Sequence, residues 1–207
     1  FDPKKSCIIE YGLNSNNRKL VSKKNKKIIN IVMVGRLISW KNHSIIIEHL
    51  KDLNFFNFIK RNHIKFTIYG DGPLYNQYIN KIKKFNFDDL ISLKRNVTNT
   101  NDIYDQADIL LHPSLFEGYG LVAIEAMSFS KPVICNIGLG MSSSIEKISK
   151  YLVIDINSSE SLTNAIVYTL KNYFLLSKKS YNYFINNHSI KLMAQKYKNI
   201  YEKIENN

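Results

Sequence analysis

Little in this sequence offers a covalent framework, a membrane span or a metal cage. Only two cysteines occur in 207 residues. Cys7 and Cys135 stand in unrelated contexts, which argues against a disulfide scaffold and fits a reducing cytoplasm, and Cys135 reads as a small core residue. No stretch approaches the ~18 consecutive apolar residues of a membrane span, and no signal-peptide pattern opens the chain. His43, His49, His63 and His188 lack ligand-like spacing, and no Asp-x-Asp stands where it would bridge a metal to a diphosphate, so no protein-bound metal is expected. No G-x-G-x-x-G follows a predicted strand, which counts against a dinucleotide oxidoreductase. Internal repeats are absent. The first residues, Phe1-Asp2-Pro3, lack an initiator Met, and the chain is read as part of a longer protein.

Acidic residues are also scarce. Lys and Arg number 29 against 17 Asp and Glu, a net charge of +12. That excess attracts anions, whether nucleotide, nucleic acid or acidic lipid headgroups, without choosing among them. Much of it is dispersed over Lys-rich helix faces. The densest cluster, Lys23-Lys24-Asn25-Lys26-Lys27, reads as a solvated loop, with peripheral membrane contact as the alternative. A nucleic-acid binder would need aromatics interleaved on a basic strand face or a recognisable motif, and neither is present.

What is present is an alternation of apolar, β-branched runs with longer helical patterns. Strands are predicted at Ile28–Val34, Ile64–Tyr69, Leu90–Leu93, Asp108–His112, Pro132–Asn136 and Leu152–Ile156. Amphipathic helices are predicted at Ser44–Leu53, Leu74–Phe85 and Leu162–Leu175, and one or two more over Ser180–Lys203. The fold class is therefore α/β, a Rossmann-like parallel sheet with helices on both faces. A chain of this length can bury about 70% of its unfolded surface as one domain. Ligands of such sheets sit at the carboxyl ends of the strands.

The segment Phe116 to Met127, FEGYGLVAIEAM, follows the strand ending at His112. It reads as a Gly-broken loop and then a helix, with Glu117 before the loop and Glu125 inside the helix. Apolar neighbours surround Glu125, so its carboxylate is costly unless donors meet it. Gly118 and Gly120 let the backbone approach a ligand where a helix N-terminus offers unpaired N–H groups. This is chemistry suited to a phosphate that carries sugar hydroxyls.

Glu117 and Glu125 bracket seven residues. This E-x7-E resembles the signature of family 4 retaining glycosyltransferases of the GT-B fold. Gly35-Arg36-Leu37 with Lys41, Tyr69-Gly70-Asp71-Gly72-Pro73, Ala107-Asp108 through His112-Pro113-Ser114, and Lys131-Pro132-Val133-Ile134 follow in that family's order. Ile8 to Asn14 resembles the segment leading out of the N-terminal domain. The likeness covers roughly residues 8 to 175, the second, donor-binding half of such an enzyme.

The resemblance implies residues 1–27 as an interdomain lead-in, 28–176 as the nucleotide-sugar domain and 177–207 as C-terminal helices. Arg36 and Lys41, released by Gly35, would clamp the diphosphate leaving group without a metal or other cofactor. Glu117 would address the donor sugar, and Glu125 the ribose. Backbone N–H groups of Gly118, Tyr119, Gly120 and Leu121 would meet sugar and phosphate, and Asn96 and Val97 would lie near the nucleobase. The catalytic set is then Arg36, Lys41 and Glu117. His112 and the Gly70–Pro73 turn are assigned structural roles, and Gly138 to Met141 with the Ser run after it a flexible loop. The implied partners are a UDP- or GDP-linked sugar, an N-terminal acceptor domain and a glycan or lipid-linked acceptor. The setting would be polysaccharide or lipopolysaccharide biosynthesis in the cytoplasm, at the inner face of the membrane. A non-catalytic nucleotide-sugar module and a GT-B epimerase are the alternatives.

Overall fold

A computed structural model describes residues 6–14, 28–95, 97 and 99–205, so Asn96 and the Lys23–Lys27 cluster lie outside the described residues. The strands are β1 Ile29–Val34, β2 Ile64–Tyr69, β3 Ile91–Lys94, β4 Ile109–His112, β5 Val133–Asn136 and β6 Val153–Ile154. All pair in parallel, in the order β3-β2-β1-β4-β5-β6. Ile31 of β1 stands between Phe66 of β2 and Ile109 of β4. Strands this deep in a parallel sheet are covered on both faces, so they read as continuous apolar runs. Every residue of β4 and β5 is buried.

The helices are α1 Ile45–His49, α2 Leu53–Arg61, α3 Tyr75–Lys84, α4 Thr100–Tyr104, α5 Leu121–Ser128, α6 Ser142–Ile148, α7 Ser159–Lys171, α8 Tyr173–His188 and α9 Ile190–Glu205. The helix predicted over Ser44–Leu53 is split. Asp52 leaves the helical conformation and its side chain accepts hydrogen bonds from Asn54 N (2.8 Å) and Phe55 N (3.3 Å), capping a second helix that the periodicity does not reveal. Asn99 caps the unpredicted α4 in the same way, through Asn101 N at 3.0 Å. The Ser run after Met141 is helical, as α6, and not loop. Ser158 starts α7 three residues earlier than predicted, and Asn172 ends it before α8 begins. The boundary placed after Leu176 falls inside α8.

Residues 10–13 contact the junction of α8 and α9. Leu13 donates to His188 O and accepts from Ile190 N, both at 2.8 Å, and Glu10 pairs with Lys196. A Cβ on Gly12 would lie 2.8 Å from Ser189 O, which explains the glycine.

The strand order fixes where a ligand can enter. From β1 the chain steps outward to β2 and β3, then returns to β4 on the other side of β1 and proceeds to β5 and β6. The loops leaving β1 and β4 therefore diverge, and the crevice between them lies beyond the carboxyl ends of the two strands.

Candidate functional site

The loop after β1 forms one wall of this crevice. Gly35 N donates to Tyr69 O at 3.0 Å, Leu37 N to Asp71 O at 2.8 Å, and Leu74 N to Leu37 O at 3.1 Å. A Cβ on Gly70 would sit 1.9 Å from Gly35 O. The Gly70–Pro73 turn thus braces the Gly35–Leu37 loop. Arg36 is exposed at the tip, and no ion pair among the described residues engages it. Arg95, by contrast, is occupied: its Nε lies 3.1 Å from Asp71 Oδ1 and its guanidinium 3.3 Å above the Tyr75 ring. The loop continues into a single 3-10 turn, Ser39–Lys41, which delivers Lys41 half-buried into the crevice.

The loop after β4 is the opposite wall. Leu115 N donates to Trp40 O at 2.8 Å, joining the walls by a backbone bond. Glu117 then meets Lys41 in an ion pair. His112 Nε2 stands 3.4 Å from the same Glu117 oxygen and has no other partner among the described residues. Sequence reasoning gives His112 a structural role; in the structure it is buried with its ring against the Glu117 carboxylate. The His112 imidazole and the Lys41 ammonium outweigh partial burial and hold the Glu117 carboxyl at about 2. His43 lies behind them, under Gly35. Burial first, then the neighbouring His112 and Lys41, bring its pKa down to about 4, so it is neutral near pH 7. A carboxyl held as low as that of Glu117 favours the ionised form near neutral pH.

Gly120 adopts φ 76°, in the left-handed region, and caps α5 without a side-chain acceptor. The first N–H groups of α5 are therefore left for a ligand or water. Glu125 is half-buried one turn on. Its Oε2 accepts from Tyr104 OH at 2.9 Å, and the same hydroxyl lies 3.1 Å from Val122 O. Burial raises the Glu125 carboxyl, with the Tyr104 contact opposing it. Tyr104 is a site residue that the sequence reading misses, because it arrives on the unpredicted α4.

The remaining predicted residues divide. Leu121 is exposed at the start of α5, and Val97 packs against the core beyond β3. Tyr119 turns away from the crevice: its hydroxyl accepts from Tyr11 N at 3.1 Å and lies 3.4 Å from His188 Nδ1. The glycine loop is thereby tied to residues 10–13 and the α8–α9 junction. Among the described residues, no group of three or more His, Cys, Asp or Glu is assembled to hold a metal, and no helix is long and apolar enough to cross a membrane.

The family model described as "Glycosyl transferases group 1" matches residues 14–191. The chain belongs to this family. As a member of it, the chain is 29% identical over 154 residues to the O-antigen biosynthesis glycosyltransferase WclY of Escherichia coli, covering 74% of the chain and 43% of that protein. It is 29% identical over 177 residues to the E. coli UDP-Gal:alpha-D-GlcNAc-diphosphoundecaprenol alpha-1,3-galactosyltransferase, covering 82% of the chain and 44% of that enzyme. The chain thus spans less than half the length of either relative. Among solved structures, a Rickettsia africae glycosyltransferase superimposes with TM-score 0.78 at 22% identity, over 100% of this chain and 59% of that one. An S. aureus TarM mutant solved with fondaparinux, alpha-GlcNAc-glycerol and UDP gives 0.75 at 22% identity, over 96% and 40%. These likenesses identify the sheet as a Rossmann-like unit of GT-B glycosyltransferases, and the family is one of sugar transferases.

Proposed function

We propose that this chain is the C-terminal, donor-binding half of a retaining glycosyltransferase that moves a sugar from a UDP- or GDP-linked donor to a glycan or lipid-linked acceptor. The observation that carries the proposal is the crevice between β1 and β4. There the Lys41–Glu117 pair joins the loops after β1 and β4, Gly120 at the N-terminus of α5 lies beside Glu117, and Arg36 stands exposed in the loop after β1. A diphosphate entering it gains Arg36, draws Lys41 away from Glu117, and accepts from the N–H groups near Gly120 and Leu121. As the glycosidic bond breaks, negative charge grows on the phosphate, where two cations and a helix terminus stabilise it without a metal. Glu125, with one oxygen held by Tyr104, has the other available for ribose hydroxyls.

Glu117, ionised near neutral pH, positions the donor sugar and stabilises positive charge at its ring. Transfer occurs by same-face substitution, the leaving phosphate accepting the acceptor's proton. The acceptor wall is supplied by an N-terminal domain, reached through residues 1–27, and residues 28–176 bind donor ahead of the C-terminal helices. The named activities of the E. coli relatives support a role in surface polysaccharide assembly. The test is calorimetry with UDP and GDP in excess chelator. Binding is expected to persist, and a strict requirement for magnesium or manganese would overturn the metal-free clamp.

A further inference from the structure

Tyr119 stands between Gly118 and Gly120, in the loop whose backbone is proposed to meet the nucleotide, yet its side chain leaves the crevice. The backbone on either side of it is lightly constrained: a Cβ on Gly118 would meet nothing within 4 Å, and Gly120 takes φ 76°. What Tyr119 reaches is His188, the last residue of α8, which is 3% exposed. His188 Nδ1 lies 3.4 Å from the Tyr119 hydroxyl and 3.3 Å from Tyr11 O. The two rings meet edge-on at 6.0 Å, and Tyr183 lies 5.7 Å from the same imidazole. Tyr11 N donates to the Tyr119 hydroxyl at 3.1 Å, and Leu13 N to His188 O at 2.8 Å. One histidine therefore touches both the glycine loop and the segment Tyr11–Leu13. Its Nε2 is buried without a hydrogen-bond partner among the described residues, which costs stability. An apolar ring would pack there without that cost, so the Nδ1 contacts are what distinguish histidine at this position.

We infer that Tyr119 and His188 are positioning residues that couple nucleotide binding at the Gly118–Leu121 loop to the seating of Tyr11–Leu13 on the α8–α9 junction. The inference rests on the donor-site reading above. A nucleotide that accepts from N–H groups near Gly120 and Leu121 fixes the loop backbone, and with it the direction in which the Tyr119 side chain leaves. The hydroxyl is then held where Tyr11 N and His188 Nδ1 meet it. Such coupling is reciprocal: nucleotide strengthens the seating by the factor by which unseating weakens nucleotide binding. One neutral hydrogen bond sets that factor at about fivefold. Tyr11, Gly12 and Leu13 are not assigned to the nucleotide, so an effect of one on the other reports the link and not direct contact.

The experiment uses all 207 residues. Affinity for UDP and GDP is measured by calorimetry, and amide hydrogen exchange is followed over residues 8–14 and 188–193 with and without whichever nucleotide binds. Nucleotide should slow exchange of both segments about fivefold, as far as the coupling reaches. Tyr119→Phe should abolish that slowing while binding nucleotide within about fivefold of the unaltered chain. His188→Phe, which keeps a ring but not Nδ1, should match it. From the other end, Gly12→Ala places a Cβ 2.8 Å from Ser189 O and unseats the segment. It should lower nucleotide affinity about fivefold, and by no further factor when combined with Tyr119→Phe. Nucleotide binding that leaves both segments' exchange unchanged would refute the coupling and spare the donor site. Slowing that persists in Tyr119→Phe, or losses from Gly12→Ala and Tyr119→Phe that simply multiply, would refute it as well. Should Gly12→Ala lose cooperative thermal unfolding, the exchange comparison with Tyr119→Phe, which removes a single oxygen, decides alone. If neither UDP nor GDP binds the unaltered chain, the donor-site reading fails and the coupling with it.

Discussion

Glu117→Gln should make the chain bind UDP or GDP more tightly. Without nucleotide, Glu117 holds Lys41, the cation that the diphosphate must recruit. Their side chains are 18% and 19% exposed, between the surface and buried limits for an ion pair. At an effective dielectric near 20 two unit charges 4 Å apart attract by about 4 kcal/mol. Solvation and side-chain ordering consume most of this, leaving roughly 1 kcal/mol for a pair so placed. Releasing Lys41 should return that amount to nucleotide binding, an affinity gain of about fivefold. Removing a carboxylate from beside the diphosphate acts in the same direction. Lys41→Met should instead cost about 2 kcal/mol, the scale of a hydrogen bond to a charged group. In that background Glu117→Gln should lose its Lys41-dependent gain, which a double-mutant cycle measures directly. Calorimetry in chelator on the four chains decides the matter. Weaker nucleotide binding by Glu117→Gln, or a full gain that persists without Lys41, would refute the competition.

Glu125→Gln should weaken nucleoside diphosphate binding by about 1.5–3 kcal/mol, through the ribose, with little effect on the free diphosphate; equal losses for both ligands would remove Glu125 from the ribose. His43 should make the fold acid-labile. With a pKa of about 4 in the fold against an ordinary 6.5, the unfolded chain binds more protons between these values, so stability is lost as pH falls through that window. The loss totals about 3 kcal/mol at roughly 1.4 kcal/mol per unit. Urea unfolding across this range should show a shallower slope in His43→Gln, reduced rather than abolished because burial also lowers His49 and His188. The 207 residues alone should transfer no sugar to labelled acceptors, since an acceptor wall that orients the two substrates supplies about 7–11 kcal/mol of barrier reduction; efficient transfer by the isolated chain would show it to be a complete enzyme.

The strands were legible because a parallel sheet buries both faces, and a continuous apolar run such as Ile109-Leu110-Leu111 has little else to become. Helix limits were less so. Asp52, Asn99 and Ser158 act through one or two side-chain hydrogen bonds each, a signal that apolar periodicity does not carry. Arg36, Lys41, Glu117 and Glu125 could be named from motifs. The pairing of Lys41 with Glu117 could not, because 76 residues separate them and only the adjacency of β1 and β4 joins them. His112 was opaque for a related reason. In a strand buried on both faces nothing in the sequence says which side a residue takes, so an inward structural histidine and one aimed at a carboxylate look alike.

The glycines make the same argument most sharply. The sequence singles out Gly118 as a place where the site needs bare backbone, yet a Cβ there would meet nothing within 4 Å. The steric demand lies on Gly140, where a Cβ would fall 2.0 Å from Gly118 O and whose N–H points to Glu117 O at 3.4 Å. Gly70 relates to Gly35 in the same way. Each ligand-facing loop is held by the bare backbone of a different loop. Local propensity reports only what a residue permits of its own backbone, whereas the need for these two glycines arises from a neighbour brought close by the sheet. The crevice is thus shaped by contacts between the strand-end loops before any nucleotide arrives. Among the described residues no ion pair braces the Arg36 side chain, so in the proposed site it is the group free to move toward a nucleotide.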